Sequence, residues 1–219
     1  MSRQDARFLF RKALIAGTTV AVEVGTGSGF STVILCHAQD TLSKAGVIGR
    51  DFAVVSCDRA DRVGGGTGKK IGDAARELLP PALLEHISFR NPEVAANLRD
   101  SFGRDEVGFM FLDANHRHPW PTLDLLGALD VLAPGAIVVV HDINLKGAGS
   151  EDLARGAEYL FDGLDEPNDV PHDEGVAPNI GSFAIPRDKD RLRDQLLRIL
   201  FDHQWEAIVG EDITSLALA

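Results

Sequence analysis

The sequence predicts an α/β fold: a doubly wound, mostly parallel sheet of about seven strands with helices on both faces. Three observations carry this. Short apolar runs alternate with helical patterns along the whole chain, which is how βαβ units read. Two of the runs, Val107–Leu112 and Ala136–Val140, are dense in apolar or β-branched residues, as strands covered on both faces must be. A glycine-dense turn, Gly25–Gly29, separates the first strand from the first long helical pattern.

In order, Ser2–Ala16 predicts an amphipathic helix with Phe8, Leu9 and Ala13 on one side. Thr19–Val24 is a first strand, Phe30 to about Lys44 a helix, and Phe52–Cys57 a second strand. Arg59–Lys70 is a charged, glycine-rich loop. Ile71–Leu79 is a helix stopped by Pro80 and Pro81, His86–Arg90 a short third strand, and Pro92–Asp100 a short helix. After the fourth strand, Val107–Leu112, the segment Thr122–Leu132 is a helix ended at Pro134-Gly135. Ala136–Val140 is then the fifth strand. Ser150–Phe161 is helical, and Asp162–Pro178, acidic with three prolines, is a loop. Ile180–Ile185 is a sixth strand, and Lys189–His203 a helix with Leu192, Leu196, Leu197 and Leu200 at helical spacing. Trp205–Val209 is a final strand. Neither an internal repeat nor a dividing linker is visible, so residues 1–219 are expected to form a single domain.

Bulk properties narrow the partners. The 219 residues are 44% hydrophobic and 25% charged, as in an ordinary globular domain. The net charge of -11 repels phosphate backbones, so nucleic acid is not an expected partner. Cys36 and Cys57 lie in apolar stretches and read as small buried hydrophobes, which fits a reducing, cytoplasmic setting. Basic residues up to Lys12 followed by Ala13–Val22 loosely imitate a secretion signal. However, Glu23 and the glycine turn follow at once, and Val20–Val24 is better used as a buried strand. With no apolar stretch of about 18 residues, no membrane span is expected.

The turn reads Glu23-Val24-Gly25-Thr26-Gly27-Ser28-Gly29. Glycines let the chain turn sharply and let a ligand approach without a Cβ in the way. The helix that follows offers free N–H groups to an anionic ligand group. A dinucleotide loop would need Gly-x-Gly-x-x-Gly, but Phe30 stands at the last position. Asp58, ending the second strand, could accept hydrogen bonds from both ribose hydroxyls of an adenosine. Asn91, after the third strand, is a candidate for the adenine. The run Gly64-Gly65-Gly66-Thr67-Gly68-Lys69-Lys70 imitates a phosphate loop, but Val63 and Lys70 stand where that motif needs Gly and Ser or Thr.

Gly-x-Gly-x-Gly with an acid two residues upstream resembles class I S-adenosylmethionine-dependent methyltransferases, whose fold is Rossmann-like. The resemblance assigns the cofactor to Glu23, Gly25, Thr26, Gly27, Ser28, Gly29 and Asp58, with Glu23 toward its methionine end.

Two strand ends extend it. The fourth continues Leu112-Asp113-Ala114-Asn115-His116-Arg117-His118-Pro119-Trp120, and the fifth Val140-His141-Asp142. In open α/β sheets ligands bind at the carboxyl ends of strands, so Asp113 and Asp142 converge on one cation if these strands are neighbours. This stretch is similar to small-molecule O-methyltransferases of the sugar and catechol type and to a cephalosporin-hydroxylase-like branch. The similarity spans roughly Val22 to Ile185. It implies a divalent metal held by Asp113 and Asp142, with Asp113 also on the cofactor side; His141, between them in sequence, is a further ligand candidate of this chain's own. His116 is the implied base, and His141 a second catalytic candidate. Relatives that use a metal usually have an acid at 141. The imidazole there favours Zn, Fe or Mn over Mg and leaves the metal open. Trp120 either lines an acceptor pocket or packs in the core.

The expected function is therefore S-adenosylmethionine-dependent O-methyl transfer to a hydroxylated small molecule, assisted by Mg or Mn, with Zn or Fe as alternatives. A cofactor-binding module without activity and a nucleotide-dependent enzyme on a similar sheet are the competing readings. Because few residues precede the first strand, cover for the acceptor is expected from loops Asp61–Lys70 and Asn144–Pro178 or from a second subunit, as in a homodimer.

Overall fold

The computed structural model describes residues 1–63, 68–145, 152–172 and 177–205. The sheet has seven strands: β1 (Val20–Val24), β2 (Ala53–Cys57), β3 (Ile87–Arg90), β4 (Val107–Leu112), β5 (Leu132–His141), β6 (Asn168–Asp169) and β7 (Ile180–Ala184). Their order is β3-β2-β1-β4-β5-β7-β6. β1 to β5 are parallel, while β7 runs antiparallel to β5 and β6 antiparallel to β7. The chain reverses its direction of travel across the sheet between β1 and β4, which is where a crevice opens in such folds.

Helices cover both faces. α1 (Arg3–Ala16), α2 (Phe30–Lys44) and α3 (Asp73–Leu78) bury Leu9, Leu35 and Ala75 against Ala21, Val54, Phe109 and Val139. Opposite them, α5 (Trp120–Ala128), α6 (Gly156–Asp162) and α7 (Lys189–Asp202) bury Leu125, Leu160 and Leu196 against Val22, Met110, Val138 and Val140. Alternate residues of β4 and β5 thus serve opposite cores, as the two-residue period of a strand requires. α1 is capped at Ser2, whose side chain accepts from the Asp5 backbone while the Asp5 carboxylate accepts from that of Ser2. This reciprocal box sets where the helix begins.

The departures from the sequence expectations are local. Pro81 starts a short helix of its own, α4 (Pro81–Leu84), rather than only ending α3, because proline suits a first helical position. The segment before β4 is a 3₁₀ helix, Ala95–Asp100. α5 ends at Ala128, and Pro134-Gly135 lies inside β5. There β5 bulges: Val107 pairs with Leu132, but Phe109 already pairs with Ile137. Gly135 has φ +86°, and proline has no N–H to give the ladder, so both belong to a bulge. Leu197 is 40% exposed and Ile199, buried, takes its expected place. The seventh strand is β6, inside the stretch expected to be a loop. The expected strand Trp205–Val209 lies outside the described residues after Trp205. Among the described residues no helix is long and apolar enough to cross a membrane. Both cysteines are buried and free, and burial pushes their thiols up to about 12.

Candidate functional site

The glycine turn is built by close backbone approach. Gly25 has φ +101°, and a Cβ there would lie 2.2 Å from the Asp113 carbonyl oxygen. The loop leaving β4 therefore packs directly on the loop leaving β1. Gly29 has φ +91° and faces the turn at Gly72 and Ala75. That turn is fastened by Gly72 N–H to the Gly27 carbonyl (3.0 Å) and Ala74 N–H to the Ser28 carbonyl (2.9 Å). Gly27 has open space on its side-chain face. Its N–H donates to Asp58 Oδ2 at 3.0 Å, and Ala60 N–H donates to Asp58 Oδ1 at 2.8 Å. Both oxygens of Asp58 are thereby aimed.

A cavity of about 430 Å³ runs along this edge, within the range that holds small-molecule cofactors. Its walls are Gly25, Gly27 and Asp58 on one side, Glu93 and Val94 after β3, Asp113–Asn115 after β4, and Trp120, Leu123 and Asp124 on α5. Trp120 thus lines the cavity, with the Arg59 guanidinium 5.7 Å from its ring centroid. Asp124 was not foreseen from the sequence. Burial raises its carboxyl to about 7, partly countered by the Arg59 charge.

Of the residues assigned to the cofactor side, Glu23, Thr26, Ser28, Gly29 and Asn91 do not line this cavity. The Asn91 amide donates to Asp61 Oδ1 at 3.3 Å, and Glu93 and Val94, just beyond the turn, form the wall instead. Glu23 is fully buried beneath the turn and accepts from Thr32 Oγ1 (2.5 Å) and from Ser56 Oγ. Burial raises its carboxyl to about 7 against the pull of the Ser31, Ser56 and Thr32 hydroxyls, with the Asp113 charge adding to the rise. Thr26, also buried, shares a hydrogen bond with Ser56 (2.7 Å). Glu23 and Thr26 therefore brace the turn from behind.

The second cluster sits where β4 and β5, which are neighbours, end. His141 Nδ1 lies 3.1 Å from Asp113 Oδ1 and 3.3 Å from Asp142 Oδ1. One ligand atom from each of the three residues falls within 4.8 Å of the others. Cis donors on a metal at 2.0–2.1 Å stand about 3 Å apart, so this donor set fits a divalent cation. Asp142 has φ +60°, strained for a residue with a Cβ and typical of functional positions. Burial opposes the His141 charge, yet hydrogen bonds to Asp113 and Asp142 and their charges raise it to about 10. Burial likewise opposes the Asp142 charge, but His141, His116 and Asn179 hold it down at about 2. The position between the two carboxylates thus attracts positive charge.

His116 Nδ1 is 3.1 Å from Asp142 Oδ2, and its side chain is 40% exposed, open to an incoming acceptor. His118 does not join it. Fully buried, it turns its Nε2 to the Leu200 carbonyl (3.1 Å) and its ring toward Tyr159 and His203. Two members of the cluster come from distant sequence: Asn179 Nδ2 donates to Asp142 Oδ1 at 2.6 Å, and Asp5 Oδ2 lies 3.4 Å from His141 Nε2. No described residue of the loops Asp61–Lys70 and Asn144–Pro178 lines the cavity, but within the second stretch Gly156 N–H donates to the His116 carbonyl at 2.7 Å and Ala157 lines a small pocket with Asp113, His116 and His141; α1 also approaches the cluster, through Asp5.

Residues 22–143 match the family described as "Methyltransferase domain". No curated protein matches the sequence. Among solved structures, the O-methyltransferase from Bacillus cereus in complex with SAH is 17% identical, with a TM-score of 0.61 over 84% of this chain and 82% of that one. The O-methyltransferase TomG from Streptomyces achromogenes, involved in tomaymycin synthesis and in complex with SAM, is 18% identical, with a TM-score of 0.59 over 85% and 81%. Cofactor-bound Rv0187 from MTB is 18% identical, with a TM-score of 0.62 over 84% and 81%. At these identities the likeness establishes the shared fold.

Proposed function

This chain belongs to the methyltransferase-domain family, and we propose that it is an S-adenosylmethionine-dependent O-methyltransferase that uses a divalent metal to methylate a hydroxylated small molecule. One observation carries the reading. Asp113 belongs both to the wall of the cavity shared with the glycine turn and Asp58 and to the donor set with His141 and Asp142. Cofactor and acceptor would thus meet across one residue, as an in-line transfer requires. On this reading the chain works as a single cytoplasmic domain, on a small-molecule acceptor rather than nucleic acid, alone or as a homodimer.

S-Adenosylmethionine, when bound, supplies an electrophilic methyl group on sulfur. In the proposed fit, Gly25 and Gly27 let its backbone-sized parts lie close to the chain, and Asp58 accepts from the ribose hydroxyls. Asp113, His141 and Asp142 would hold the cation, which supplies a Lewis acid that favours the ionised acceptor oxygen. His116 takes the acceptor proton. With its Nδ1–H donated to Asp142 Oδ2, the free lone pair is on Nε2, the atom left to face the acceptor. Trp120 and Leu123 exclude water from the cavity.

The test is calorimetry with S-adenosylhomocysteine, followed by methyl uptake from labelled S-adenosylmethionine on a panel of phenols and sugars, with Mn²⁺ and with a chelator. The reading expects S-adenosylhomocysteine binding in both conditions and turnover with Mn²⁺ alone. Absence of S-adenosylhomocysteine binding would end it.

A further inference from the structure

α1 does more than cover a sheet face, because it brings a carboxylate to His141. Asp5 is 4% exposed, and its Oδ2 lies 3.4 Å from His141 Nε2. Its capping partnership with Ser2 does not account for that burial. A capping box satisfies free N–H groups at a helix start and works equally well on an exposed surface. Taking a carboxylate out of water is costly unless a partner compensates. The Ser2 N–H at 2.8 Å supplies one bond to Asp5 Oδ2, and His141 is the partner that meets the same oxygen from the protein interior. Its other nitrogen, Nδ1, points at Asp113 and Asp142 (3.1 and 3.3 Å), and Phe111 packs against the imidazole edge-on with 6.4 Å between centroids.

A histidine that ligates a metal through one nitrogen almost always donates the proton of the other to a carboxylate or carbonyl. That bond fixes the tautomer and the ring's rotation. We propose that Asp5, carried in by α1, is the positioning residue of His141: it accepts from Nε2–H and so presents the Nδ1 lone pair, between Asp113 and Asp142, as a metal ligand. The inference rests on the metal-assisted reading above and deepens it. It makes the first helix part of the metal centre, joining residues 136 positions apart. An imidazole ligand alongside two carboxylates also suits Mn²⁺, Co²⁺ or Zn²⁺ better than Mg²⁺.

The test titrates the full chain with Mn²⁺ by calorimetry and records the visible spectrum of the Co²⁺-loaded protein, for wild type, Asp5→Asn, Asp5→Ala and Ser2→Ala. Asp5→Ala should weaken Mn²⁺ binding about 10- to 100-fold and alter the Co²⁺ bands. Asp5→Asn, which keeps an acceptor but not the charge, should fall between it and wild type. Ser2→Ala breaks the helix cap but leaves the Asp5–His141 pair, so it should lower thermal stability while keeping wild-type Mn²⁺ affinity and spectrum. If wild type binds Mn²⁺ and the Asp5 variants bind it equally well, the positioning role is overturned. It is also overturned if Ser2→Ala weakens binding as much as Asp5→Ala, since Asp5 would then act only by holding α1. If wild type binds neither ion, the metal-assisted reading fails and takes this inference with it.

Discussion

The two halves of the site, which share Asp113, are made by different means. The half at β1 and β2 is made of main chain: Gly25, Gly27 and Gly29 in left-handed conformations, with Gly27 N–H and Ala60 N–H aiming one carboxylate, Asp58. The half at β4 and β5 is made of side chains from four separate parts of the chain: Asp5, the Asp113–His116 loop, the His141–Asp142 pair and Asn179. A main-chain site needs particular backbone angles, so it fails through strain and steric clash. A side-chain site needs particular functional groups, so it fails through lost chemistry while the fold persists.

That contrast can be broken or sharpened by four substitutions. The largest effect is expected at His116. His116→Ala should lower kcat by about 10²- to 10⁴-fold and leave S-adenosylhomocysteine affinity where it was. Steady-state kinetics and calorimetry check this, and an equal loss of both would erase the division between the halves. Next, Gly25→Ala should cost about 3 kcal/mol or more of stability, because its Cβ would meet the Asp113 carbonyl at 2.2 Å. Urea denaturation reads it, and a stability within error of wild type would show that the main-chain half tolerates a side chain after all.

The third concerns Glu23. Its carboxyl is raised from 4.5 to about 7 in the folded protein. The stability it contributes is therefore fully present below about 4.5 and lost as pH rises through about 7. Between those values wild type should lose on the order of 3 kcal/mol relative to Glu23→Gln. Parallel stability curves would place Glu23 outside this coupling. The smallest effect is expected at Asp58. Asp58→Asn should weaken S-adenosylhomocysteine binding by about tenfold, the worth of one charge-assisted hydrogen bond, without changing the response to Mn²⁺. Unchanged binding would mean that the ribose lies elsewhere.

The same contrast decides how much the sequence disclosed. The glycine turn and Asp58 were legible because a strand, a turn and a helix occur in order and only glycine suits the backbone angles needed. Asp113, His141, Asp142 and His116 were legible as strand-end residues once Val107–Leu112 and Ala136–Val140 were read as buried strands, while the adjacency of those strands came from the sheet order. Asp5 and Asn179 were not, since nothing local distinguishes an aspartate in a first helix turn or an asparagine before an antiparallel strand from a surface residue. Asn91 is not a wall of the cavity, because the turn after β3 directs Glu93 and Val94 inward and leaves the Asn91 amide on Asp61. His118, two residues beyond His116, serves the core under α7. Pro134-Gly135 read as a helix stop because a bulge inside a parallel strand leaves the same mark as a turn.

The space that a side chain on Gly25 would fill holds the peptide linking Asp113 to Ala114. The loop after β4 is thus keyed into the glycine turn after β1, main chain against main chain, with no rotamer between them to absorb a shift. Redesign for a new acceptor should then begin at the exposed edge of His116, where a side chain can be exchanged. Loop grafts that begin at 113 would have to carry the Gly25 turn with them.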